Sequence, residues 1–175
     1  MTRRQLIDEH NLDTLYGGGP LTWETARTAV GEALPKAETA VFLGTVRPDG
    51  RPHSAGVGAL WLEEDLYVVT GPDTRKSRNL AENPHCTLSV RTAVGDIIFE
   101  GTASRVTDAQ TLEAVAAAYR EGGWPVHVEG EAFAAAYSAQ SAGPPPWFLH
   151  RLHYTRAFGV ASREPFGATR WTFAD

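Results

Sequence analysis

Lysine is nearly missing from this chain: of 175 residues and 16 basic side chains, only Lys36 and Lys76 are lysine. Cysteine is scarcer still. Cys86 stands alone, so no internal disulfide can form and a reducing, cytoplasmic setting is expected. No apolar run is long enough to span a bilayer. The start, Met1-Thr2-Arg3-Arg4-Gln5, has an arginine pair without the apolar stretch of an export signal. Basic residues are also outnumbered, 16 against 21 acidic, which leaves a net charge of -5. That balance argues against nucleic acid and anionic membranes as partners. The histidines, His10, His53, His85, His127, His150 and His153, form no helical pair and no Cys/His cluster, so no metal site is expected. Neither a Gly-x-Ser-x-Gly elbow nor a strand-borne Gly-x-Gly-x-x-Gly occurs, which excludes those hydrolase and dinucleotide-binding devices.

What is present is ordinary globular material, 42% hydrophobic and 21% charged, enough for a sizeable core without staples. The reading divides it into an N-terminal helical extension, 1–38, and a main domain, 39–175. Thr22 suits the cap of a helix over 23–34, with Glu24 in its first turn and Pro35 past its end. Tyr16-Gly17-Gly18-Gly19-Pro20 before it reads as a linker. Six strand-like segments follow, at 39–46, 52–62, 66–70, 85–91, 97–107 and 147–161, with a short terminal strand at 171–173. Arg47-Pro48-Asp49-Gly50 and Glu63-Glu64-Asp65 turn the first three into an antiparallel meander. Helices are expected at 74–83, at 109–121 behind the cap Asp108, and around 131–137. The expected architecture is mainly β: a closed or nearly closed barrel with helices outside.

Chemistry concentrates at Thr74-Arg75-Lys76-Ser77-Arg78, where a strand hands over to a helix. Hydroxyls, cations and free first-turn amides suit a phosphate. A charged first turn is also commonly just a solvated face, but cations there oppose the helix dipole, and a bound anion would offset that. The segment 52–62 is the second unusual feature. His53, Ala55, Val57, Ala59 and Trp61 share one face, and Ser54, Gly56, Gly58, Leu60 and Leu62 the other. The glycine strip reads equally as a barrel bend or as a floor for a flat ring. Cys86 is expected as a core thiol. Trp61, Trp124, Tyr137 and Trp147 are candidates for shaping a small-molecule pocket.

Three runs in order carry a resemblance: Thr45-Val46-Arg47-Pro48-Asp49-Gly50-Arg51-Pro52-His53, Leu66-Tyr67-Val68-Val69-Thr70, and Lys76-Ser77-Arg78-Asn79-Leu80-Ala81-Glu82-Asn83-Pro84. Together they resemble the pyridoxamine 5'-phosphate oxidase-like flavoproteins. The resemblance implies a six-stranded antiparallel split β-barrel of the FMN-binding type. It implies a homodimer with the cofactor, FMN or the deazaflavin F420, at the subunit interface. It implies a hydride-transferring oxidoreductase acting on a small molecule, or else a protein that binds or stores flavin, F420 or haem without turnover. Carried over by position, Lys76 and Ser77, with Arg75 or Thr74, would hold the cofactor phosphate. His53, Ser54 and Ala55 would line the ring system, Val69 and Thr70 would contact ring or ribityl chain, and Arg78 would add to a basic groove. Pyridoxamine phosphate oxidase itself has Arg where this chain has Ala55 and Lys where it has Leu60, so that enzyme's own activity is not expected. The resemblance is nearer to actinobacterial relatives, many of which use F420. It assigns no catalytic residue.

Overall fold

The computed structural model describes residues 4–174 except 14, 16, 35, 37 and 165. Pro35, Tyr16 and residues 1–3, which entered the expectations above, therefore lie outside the described residues. In chain order the elements are β1 (Leu6–Asn11), α1 (Trp23–Ala33), β2 (Val41–Val46), β3 (Pro52–Gly56), β4 (Ala59–Leu62), β5 (Asp65–Thr70), α2 (Arg75–Glu82), β6 (His85–Arg91), β7 (Gly95–Arg105), α3 (Ala109–Glu121), β8 (His127–Glu129), β9 (Ala132–Ala134), β10 (Phe148–Ala161) and β11 (Ala168–Phe173).

All six expected barrel strands form, and the second is broken. The segment 52–62 splits at Val57-Gly58 into β3 and β4. β3 pairs with β2, while β4 pairs with β5. The hydrogen-bonded order β3-β2-β6-β7-β10-β5-β4 thus closes on itself through the covalent link between β3 and β4. β10 is the longest strand and serves two partners along one edge. Its first part, Phe148 to Leu152, pairs with β5, and Arg156 to Val160 pair with β11. β5 is buried on both faces, which explains its continuous apolar run in place of alternation.

Two corrections concern the outer parts. Within 1–38, expected as helical, Leu6–Asn11 is a strand that pairs antiparallel with β11. α1 forms as expected, with Thr22 accepting from the Thr25 N–H, and its buried Trp23, Ala26 and Val30 join the barrel's own core. The expected helix around 131–137 is instead part of the hairpin β8–β9. The Ala-rich stretch has good helical propensity. However, Phe133 exchanges two 2.8 Å backbone hydrogen bonds with Trp147, and tertiary pairing of this kind overrides a weak local preference. The barrel interior holds Leu43, Leu88, Phe99 and Tyr154. A second core lies between α3 and the outer side of β5, built on Tyr67, Leu112, Phe133, Trp147 and Leu149.

Candidate functional site

α2 begins five residues after β5 ends. Thr74 caps it: its hydroxyl accepts from the Ser77 N–H at 3.3 Å and donates to the Gly71 carbonyl at 2.8 Å. The first turn holds no acidic residue, so its cations stand against the positive end of the helix dipole. They diverge in direction. Arg75 is exposed and its side chain makes no hydrogen bond or ion pair among the described residues. Arg78 folds back, its Nη1 donating to the Asp73 carbonyl at 2.9 Å. Lys76 is only 4% exposed. Its ammonium donates to the Ser141 carbonyl, and burial pulls its pKa below the ordinary lysine value. The loop that supplies Ser141 is seated tightly, since a Cβ on Gly71 would lie 1.8 Å from the Ala142 carbonyl oxygen.

The buried side of α2 reaches the barrel. Ser77 is 7% exposed, and Asn79 Nδ2 donates to Thr45 Oγ1 at 2.9 Å. That hydroxyl lies 3.3 Å from His53 Nδ1. Burial first, then the charges of Arg47, Arg75 and Lys76, hold the His53 pKa below its usual value. Positive charge from the β2–β3 turn and from α2 is therefore felt at one imidazole. Arg47 had been read only as a turn residue. Its position two residues beyond Thr45, on the strand face that meets α2, was the available signal.

His53 and Ser54 line a cavity of about 770 Å³ with Gly44, Thr87, Glu100 and Arg156. Cys86 borders it, but burial pushes its thiol up to about 12, so it carries no thiolate near neutral pH. Ala55 is half-buried on the same side of β3 as His53. Gly56 and Gly58 follow. Neither has a positive φ, and a Cβ at either would meet no atom within 4 Å. Their bare backbone faces a cavity of about 580 Å³, walled by Val57, Trp124, Tyr137 and Ser141. The strand breaks here, as a barrel bend would have it, and open space lies above the glycines.

Behind β4 a third cavity of about 610 Å³ is lined by Val69, Trp61, Tyr119 and Trp124 among others. Thr70 is fully buried, its hydroxyl 3.5 Å from His150 Nδ1. Of the aromatic residues expected around a pocket, Trp61, Trp124 and Tyr137 line one. Trp147 does not. It is fully buried core, its indole N–H donating to the Gly143 carbonyl at 2.9 Å. Among the described residues no group of three or more His, Cys, Asp or Glu is placed to hold a metal ion. The arrangement sets an exposed arginine at the start of α2, near a smooth stretch of backbone.

Residues 28–159 match the family described as pyridoxamine 5'-phosphate oxidase. A curated relative, the pyridoxine/pyridoxamine 5'-phosphate oxidase of Bacteroides thetaiotaomicron, is 35% identical over 85 residues, 47% of this chain and 40% of the relative. The chain thus spans less than half of that relative's length. Among solved structures, a pyridoxamine 5'-phosphate oxidase-related, FMN binding protein from Nostoc punctiforme superposes with a TM-score of 0.55 at 17% identity, covering 85% of this chain and 89% of the other. An F420 reductase superposes with a TM-score of 0.50 at 22% identity, covering 72% and 94%. These likenesses show a shared antiparallel split-barrel fold.

Proposed function

We propose that this chain, which belongs to the pyridoxamine 5'-phosphate oxidase family, is a flavin- or deazaflavin-dependent oxidoreductase. The observation that carries the reading is a pair of features side by side. The positive charges of Arg47, Arg75 and Lys76 are felt at His53, and further along the same segment Gly56 and Gly58 leave open space where a Cβ would stand. The first suits a phosphate and the second a flat ring. The residues present therefore fit FMN or F420, and the two structural relatives described as FMN binding and as an F420 reductase support that range.

In this reading Arg75, exposed and without a protein partner, binds the phosphate directly together with the first-turn amides of α2. Arg47 and His53 set the local potential, and Thr74 and Ser77 hold the turn in shape. Lys76 orders the loop around Ser141 against the site. Ser54 and Ala55 border the ring, while Val69 and Thr70, buried in β5, hold the scaffold behind it. Arg78 extends the positive surface, which favours the longer anionic tail of F420. The cofactor supplies hydride chemistry when bound; the chain binds it, orients it and excludes water. A homodimer with the site at the subunit boundary belongs to the same reading. Phe42 and Val160, each more than half exposed on outer strand faces, are candidate contacts.

The test is a titration of the purified protein with FMN and with F420, followed by reduction of the loaded protein with nicotinamide donors and reoxidation by candidate acceptors. Tight binding of one cofactor with turnover is the expected result. Binding without turnover of any pair would make the protein a carrier, and binding of neither would remove the reading.

A further inference from the structure

The cavity behind β4 has an assignable ligand class. We propose that it binds an uncharged, flat aromatic molecule and that this is the substrate class of the site; the proposal rests on the cofactor reading above. Three observations carry it. First, the cavity of about 610 Å³ shares Val57, Gly58, Trp124, Ala139 and Ser141 with the space above the glycine strip, so a molecule held there adjoins whatever lies on the strip. Its size suits a small organic ligand, within the range of roughly 300–1,000 Å³ found for such sites.

Second, the lining carries no usable charge. Its ionic residues are Lys36 and Glu121, of opposite sign and both exposed at the rim. The interior is formed by groups such as Leu60, Val69 and Ala118. An anion placed against them would lose its hydration with no cation to replace it.

Third, the walls are rings held at fixed angles. Trp61 stacks on Tyr154 at 6.2 Å on the core side. Trp124 lies edge-on to Tyr119 at 4.8 Å and leans on Trp147 at 5.4 Å. Such rigid faces favour a planar guest at little entropic cost. The Tyr119 hydroxyl is buried and has no hydrogen-bond partner among the described residues. A carbonyl or hydroxyl on the guest would supply the bond that the protein does not.

The test is calorimetric titration of the intact protein with 1-naphthol, 1-methylnaphthalene and 1-naphthyl phosphate, alongside FMN and F420. The expected result is 1-naphthol binding at least tenfold tighter than 1-naphthyl phosphate. Ala118→Phe, which fills this cavity and not the one above the strip, should weaken 1-naphthol at least tenfold and leave cofactor affinity unchanged. Tyr119→Phe removes only the hydroxyl; it should weaken 1-naphthol and spare 1-methylnaphthalene, and it serves if Ala118→Phe does not fold. Equal or tighter binding of the phosphate overturns the proposal, as does 1-naphthol affinity that neither variant changes. Cofactor binding without naphthol binding sinks the cavity assignment alone. Naphthol binding without either cofactor removes the oxidoreductase reading and leaves the aromatic site standing.

Discussion

Arg75 and Lys76 are sequence neighbours, and a helix rotates by about 100° between them, so one faces solvent and the other is buried. Arg75→Ala is therefore expected to weaken FMN or F420 binding by about 1–3 kcal/mol, the scale of a charge-assisted hydrogen bond. As an exposed side chain it should leave the thermal midpoint nearly unchanged; titration and thermal melts of the same variant check both. The sequence marked the cationic helix start but set Lys76, not Arg75, at its centre. The burial of Lys76 was not legible, because a cationic first turn reads as solvated, and what covers its ammonium is a carbonyl 65 residues away. His150 makes a separate prediction. Burial holds its pKa near 4 rather than the ordinary 6.5. The unfolded chain therefore takes up that proton below pH 6.5, while the folded one resists until about pH 4. Stability contributed by the neutral ring is present above pH 6.5 and is lost as pH falls from 6.5 to 4, by on the order of 3 kcal/mol. Denaturant titrations across that range should show the slope, and His150→Gln should flatten it.

Helix starts were legible because each has a capping side chain: Thr22, Thr74 and Asp108 all accept from first-turn amides. Strands were legible where turn residues bound them. What escaped was any feature set by a distant partner. β1 exists because β11 offers it an edge, and β9 continues into the bridge between Phe133 and Trp147. The break at Val57-Gly58 marks where the strand changes partner from β2 to β5, which two glycines suggest but do not decide. The β4–β5 turn is strained: Glu63 and Glu64 take φ of 52° and 69°, a geometry that Asn and Gly adopt more easily. Glu64 is anchored, its carboxylate accepting from Arg27 at 2.8 Å and its carbonyl from the Tyr154 hydroxyl at 3.1 Å. Glu63 is exposed. Glu63→Asn should accordingly raise stability by about 0.5–1 kcal/mol, read as a higher unfolding midpoint.

At the scale of the molecule, the barrel turns one broken strand into a site. β3 pairs with β2 and β4 with β5, and the cavity at the break between them reaches Ser141, whose carbonyl accepts from Lys76 at the start of α2. The sequence showed the parts, a cationic helix start and a glycine strip, but not that they adjoin. That follows from Asn79, Thr45 and His53 linking helix to strand. The central claim is that a phosphate-bearing ring cofactor lies along this line, and Gly58→Val tests it most directly. A Cβ at this position meets no protein atom within 4 Å and needs no positive φ, so the fold should keep its thermal midpoint. Titrated with FMN and F420 beside the wild type, the variant is predicted to lose at least tenfold in affinity, about 1.4 kcal/mol, for whichever cofactor the wild type binds. Equal affinity in variant and wild type would contradict the account.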